Sequence, residues 1–96
     1  MFKITAGKGF QVTFANGNTV SVQWGYGNYC DHHFGTVDGD FETQQRLYGE
    51  RGSHTAEIAG LDADGEWLHP DSWGDDVKGY CTPEEVLEFM NWIAAK

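Results

Sequence analysis

The chain has 96 residues and a formal net charge of −9, from 15 acidic and 6 basic residues. That length makes one domain, 1–96, which buries about three-fifths of the surface its unfolded chain exposes. The charge excludes phosphate-led binding to duplex nucleic acid, because such binding is driven by Lys and Arg displacing counterions.

The opening, MFKITAGKGF, lacks the apolar segment of a signal peptide. No run approaches the ~20 apolar residues that span a bilayer. A cytoplasmic protein with no membrane contact and no direct nucleic-acid binding is therefore expected. The core must come from large side chains, and six Phe, four Trp and four Tyr supply them. Cys30 and Cys81 are expected as reduced thiols, since the chain carries no export signal.

In chain order, Phe2 and Ile4 alternate with Lys3 and Thr5, which predicts a first strand ending at Gly7-Lys8-Gly9. Phe10, Val12 and Phe14 then alternate with Gln11 and Thr13. Val20, Val22 and Trp24 alternate with Thr19, Ser21 and Gln23. A period of two marks strands with one buried and one wet face. A three-residue loop, Asn16-Gly17-Asn18 with Asn18 in the left-handed conformation, pairs Phe14 with Val20, Val12 with Val22 and Phe10 with Trp24. All the apolar residues then share one face.

From 25 to 52 periodicity disappears. GYGNYCDHHFGTVDGDFETQQRLYGERG holds both arginines of the chain and is long for a connection in a small domain. Such segments tend to carry function. A short helix over Phe41 to Leu47 is compatible with its composition. Thr55 to Leu61 reads as a strand, Asp62 to Gly65 as a turn and Glu66 to Leu68 as a second short strand. His69 to Asp76 reads as a loop, and Val77 to Tyr80 as a further extended piece. At the end, Thr82 as N-cap, Pro83 at the first helical position and Glu85 three residues on form a capping box. Val86, Phe89, Met90 and Ile93 follow on one helical face. The fold class is α+β: a small antiparallel sheet of about four or five strands with one C-terminal helix packed on it.

Cys30-Asp31-His32-His33 is the densest cluster of metal-ligand types, with His54, His69 and Cys81 elsewhere. The paired ligand spacings of structural zinc are missing, so no metal is expected. On an extended chain His32 projects to the same side as Cys30, which permits a thiolate–imidazole dyad. No nucleophile-elbow or oxyanion-hole pattern surrounds it. Asp62, Asp64, Gly65 and Asp71 partly mimic a calcium loop, but its first position falls on Gly60, which has no side-chain oxygen. Gly25-Tyr26-Gly27 completes no phosphate-loop pattern. What remains is a Gly-rich loop carrying aromatics, with two isolated arginines. Stacking on Trp24, Tyr26 and Tyr29, polar contacts from Asn28, His32 and His33, and charge-assisted bonds from Arg46 and Arg51 together suit a small nucleotide. The ordinary alternative is that these aromatics fill the core.

GFQVTFANGNTVSVQWGYGNYC, AEIAGLDADGEW and VKGYCTPEEVLEFMNWIAA together resemble a family of small bacteriophage proteins. In that family a GFxxTFxNGxTVSVQxGxGNYC-like segment precedes an acidic middle and a TPxEV-type C-terminal helix. The resemblance covers most of the chain outside 31–52 and carries over no catalytic residues. It implies action in the cytoplasm of an infected bacterium, against a host defence. The expected role is a non-enzymatic, cofactor-free homo-oligomer that sequesters a small nucleotide immune signal. The alternative is an acidic nucleic-acid mimic, or protein-binding inhibitor, that occupies a host defence protein.

Overall fold

The computed structural model describes residues 1–5, 9–25, 29–30 and 53–96. Within them the chain forms β1 (Phe2–Ile4), β2 (Gly9–Thr13), β3 (Thr19–Gln23), β4 (Ala56–Leu61), a 3-10 turn (Asp71–Trp73), β5 (Val77–Cys81) and α1 (Pro83–Ala94). The strands make one antiparallel sheet in sequence order. The helix packs on one face of that sheet, so the fold is α+β as expected. The helix expected over Phe41 to Leu47 lies outside the described residues. No helix among the described residues is long and apolar enough to cross a membrane.

Period-two patterning has the anticipated result. Val12, Val20, Val22, Ala56 and Ile58 turn to one face and are buried beneath Phe89 and Ile93 of α1. The opposite face is polar. There the Thr13 and Thr19 hydroxyls share a hydrogen bond at 2.9 Å, and Gln23 donates to Thr5 Oγ1 at 2.7 Å.

The β2–β3 register differs from the expected one by two residues. Val12 faces Val20 and Phe10 faces Val22, a shift that preserves which side chains share a face. The three-residue loop is Ala15-Asn16-Gly17. Gly17 N–H donates to the Phe14 carbonyl and Phe14 N–H to the Asn18 carbonyl, both at 2.9 Å. Gly17, at φ +87°, takes the left-handed position assigned above to Asn18. Glycine enters that region without a Cβ clash, and this leaves both asparagines for another task. Asn16 Nδ2 donates to the carbonyls of Ile93 (3.0 Å) and Ala94 (3.2 Å), and Asn18 Nδ2 donates to Ile93 (3.3 Å). Asn16 Oδ1 in turn accepts from Asn18 N–H at 2.9 Å. The hairpin turn thus caps the C-terminus of α1, where backbone carbonyls lack helical partners.

The other end of α1 is capped locally. Thr82 Oγ1 accepts from Glu85 N–H at 3.2 Å, and Glu85 Oε1 accepts from Thr82 N–H at 3.0 Å. Lys78 on β5 adds an ion pair to Glu85 at 3.4 Å. Between its two ends the helix rests on Gly60. A Cβ there would lie 2.5 Å from the Leu68 carbonyl and 2.6 Å from Ile93 Cδ1.

Beyond β4, Asp62 organises the turn. Its Oδ1 accepts from Asp64 N–H (2.9 Å) and Glu66 N–H (3.0 Å), so backbone donors already engage the oxygen that a calcium loop would need. The short strand expected at Glu66 to Leu68 is reduced to a single bridge between Leu61 and Trp67.

Phe89→Ala should lower unfolding stability by about 3–5 kcal/mol in urea titration, from lost burial plus the cavity left behind. A loss under about 1 kcal/mol would mean that the helix is not seated on this residue. The capping box also predicts a pH effect. The Thr82 N–H, then Lys78 and the Thr82 hydroxyl, hold the Glu85 carboxyl below its ordinary value. Its stabilising contribution is therefore complete above the pKa of the unfolded carboxyl and vanishes as pH falls through the lower folded value. Glu85→Gln should flatten the acid limb of the stability–pH curve in that window, and an unchanged limb would rule out this source.

Candidate functional site

Among the described residues helix α1 borders a depression along each flank. Pro83, Val86, Leu87 and Met90 line the first, and Glu85, Glu88, Phe89 and Trp92 line the second. Each set recurs at three- and four-residue steps, and the two sets lie on opposite sides of the helix.

The first is an apolar groove of about 460 Å³, bounded on the sheet side by Phe10, Val22 and Trp24. Trp24 meets Phe10 edge to face, with centroids 6.0 Å apart and planes at 68°. Ser53, His54, Thr55, Ala56 and Cys81 complete the lining. Ser53 Oγ donates to the Thr55 carbonyl at 2.7 Å, holding the entry to β4 in a tight local bend. Trp24 stands just before the segment 25–52 and Ser53 just after it, so both ends of that segment border one groove.

The second depression is a cleft of about 480 Å³. Ile58 and Phe89 are its buried members, and Trp73, Trp92 and Pro70 add half-buried rings. Phe89 touches both tryptophans, with centroids 4.5 Å from Trp73 and 5.9 Å from Trp92. Lys78, Glu85 and Glu88 stand around these rings.

Of the residues singled out from sequence, Trp24 and Tyr29 are described. Tyr26, Asn28, His32, His33, Arg46 and Arg51 lie outside the described residues. Trp24 is in the apolar groove. Tyr29 is elsewhere, against Glu57 of β4 and Gly79 and Tyr80 of β5: its N–H donates to Glu57 Oε2 at 2.7 Å and its carbonyl accepts from Tyr80 N–H at 2.8 Å. Glu57 alternates with buried Ala56 and Ile58, so it faces away from the helix. The structure does not bring Trp24 and Tyr29 together. The acidic aromatic cleft went unread in the sequence. Its signal was the recurrence of Glu85, Glu88 and Trp92 along a second helical flank, whereas Trp73 comes from a loop with no periodicity to announce it.

Both cysteines are buried, Cys81 in the floor of the apolar groove. The Cys30 sulfur lies 3.6 Å from the Gly25 carbonyl. Desolvation, aided by the Glu85 charge and opposed by Lys78, pushes the Cys81 thiol pKa up. No disulfide joins the two. Among the described residues no three His, Cys, Asp or Glu side chains are grouped to hold a metal ion.

No protein-family model, curated protein or solved structure matches the chain.

The contact between Tyr29 and β5 falls on an irregularity. The β4–β5 register slips between Ala56 and Ile58, and Tyr80 adopts φ +54°. A left-handed non-glycine residue carries about 1–2 kcal/mol of strain. Tyr80→Gly should therefore leave unfolding stability unchanged or raise it by up to about 1 kcal/mol, the gain being reduced by glycine's entropy when unfolded. A loss above about 1 kcal/mol would show that contacts of the tyrosine ring outweigh the strain.

Proposed function

We propose that this chain is a phage-encoded, non-enzymatic binding protein that sequesters a small nucleotide immune signal in the cytoplasm of the infected bacterium. The observation that carries the reading is the apolar groove at the two ends of the segment 25–52. Trp24 offers an aromatic surface beside Phe10 and Met90, and stacking on such a surface is worth roughly 1–3 kcal/mol per base. Tyr26 follows Trp24 by two positions, and Arg51 precedes Ser53 by two. The residues suited to a base and to a phosphate thus belong to the chain entering and leaving this groove. Burial of both thiols supports binding over covalent chemistry, because the thiolate is the reactive form and desolvation disfavours it. A homo-oligomer would deepen a groove that is shallow in one copy.

An inhibitor that presents acidic surface to a basic groove of a host defence protein is the second reading, favoured by the net charge of −9 and the glutamates around the second cleft. Salt separates the two. Mimicry depends on long-range charge and weakens steeply with ionic strength, whereas a stacked base is less sensitive.

Native mass spectrometry after incubation with a panel of cyclic oligonucleotides should show a bound mass that is recovered intact after heat denaturation. Trp24→Ala and Arg51→Ala should each weaken binding at least about tenfold with the fold retained, and Cys30→Ser should leave it nearly unchanged. A chemically altered ligand, or loss of phage protection only with Cys30→Ser, would replace sequestration by catalysis.

A further inference from the structure

We infer that the Trp73–Phe89–Trp92 cleft is a receptor for an arginine side chain presented by a basic protein partner. The inference does not rest on nucleotide binding in the other groove.

The cleft is built to keep its shape. Trp73 is braced from behind by His69, stacked on it with centroids 5.8 Å apart and planes at 7°. His69 has an acceptor beside each ring nitrogen, Asp76 Oδ1 at 3.3 Å from Nε2 and the Pro70 carbonyl at 2.9 Å from Nδ1, and the N–H of either tautomer holds the ring to one of them. Phe89 is fixed by its burial under the helix. A ligand here meets aromatic surfaces whose positions are set before it arrives, which lowers the ordering cost of binding.

The charge around these surfaces selects the ligand. Lys78 is paired with Glu85 at 3.4 Å, and Glu88 has no ion-pair partner among the described residues. Among the side chains that line the cleft, the charge left without an ion-pair partner is therefore the negative one of Glu88, with the Lys96 ammonium outside the lining on the Trp92 ring. A phosphate would face Glu88 and a lysine that is already neutralised, so the cleft suits a cation. An aromatic face attracts cations through its quadrupole, and the chain uses this itself: the Lys96 ammonium sits 4.2 Å from the Trp92 ring centre. Arginine fits better than lysine. Its planar guanidinium stacks on indole and phenyl rings while its fork of N–H donors meets a carboxylate side by side, whereas an ammonium is a compact and strongly hydrated point charge. A volume of about 480 Å³ lies in the range of ligand sites. The net charge of −9 would steer a basic partner toward the domain as a whole.

The test uses the full chain and two short acetylated peptides, Arg-Gly-Arg-Gly and Lys-Gly-Lys-Gly, with AMP as the anionic probe. Binding is followed by tryptophan fluorescence and by the indole N–H resonances. The arginine peptide should shift the Trp73 and Trp92 signals, leave Trp24 unmoved, and bind at least about fivefold tighter than the lysine peptide. Glu88→Gln should weaken that binding at least about fivefold. Glu84→Gln removes the same charge from the same helix outside the cleft and should change it less than twofold. Equal losses for the two variants would reduce the effect to overall acidity and overturn the site. So would equal affinity for the two peptides, shifts confined to Trp24, or AMP moving Trp73 and Trp92 more strongly than the arginine peptide.

Discussion

The seating of one helix on a wider sheet is the constraint from which the other features follow. A helix with its side chains is about 10–12 Å across, whereas five strands spaced about 4.8 Å apart extend roughly 19 Å from first to last. Helix α1 can sit close only because Gly60 offers no Cβ to Ile93 or to the Leu68 carbonyl. Close seating buries Val20, Ile58, Phe89 and Ile93 nearly completely and leaves the margins of the apolar face partly covered. The groove at Phe10 and Trp24 and the cleft at Trp73 and Trp92 are those two margins. On β1, beyond the helix, Phe2 and Ile4 share the apolar face and remain 82% exposed.

Direction along the helix matters as much as its width. Its N-terminus is held by the Thr82–Glu85 box and Lys78, and its C-terminus by Asn16 and Asn18 from the β2–β3 turn. One clamp is local and the other reaches across the domain. Together they fix the rotation of α1, and rotation decides which residues line each margin. A turn of the helix about its axis would carry Glu88 away from the Trp73 side and Met90 away from Trp24. Charge and aromaticity are thus apportioned between the two depressions by clamps at the helix ends, one of which, through Glu85 and Lys78, borders the second cleft.

This division between local and distant determinants explains what could be read in the residues alone. The capping box, the buried face of α1 and the alternation of β2, β3 and β4 depend on neighbours within a few positions, and all stand in the structure as expected. The hairpin register does not depend on neighbours alone. Asn16-Gly17-Asn18 is compatible with either loop, and the choice of Gly17 for the left-handed position frees both asparagines for carbonyls at the far end of the chain. No local rule contains that information. The same holds for the two depressions. Trp24 was visible as a loop-edge aromatic, but its neighbour Met90 lies on a helix far along the sequence. Trp73 and Trp92 share a wall only because Phe89 lies against both. Tyr29 is near Trp24 in sequence, but in the structure Glu57 of β4 and Tyr80 of β5 take its backbone groups.

The two margins also differ in the ligands they can accept, and the difference follows from which helix flank faces each. Val86, Leu87 and Met90 bring no charge, so the Trp24 groove has no described group to repel a phosphate. The chain's two arginines, Arg46 and Arg51, belong to the segment 25–52 whose ends border this groove. Glu85 and Glu88 put carboxylates beside indole rings, an arrangement that disfavours anions and stabilises a flat cation by two attractions at once. Because Phe89 and Ile93 occupy the helix face between the flanks, the two ligands would not compete for the same surface. Under the two proposals, a nucleotide in one depression and a basic side chain in the other would be held together. Any coupling between them would have to pass through α1, whose position is clamped at both ends.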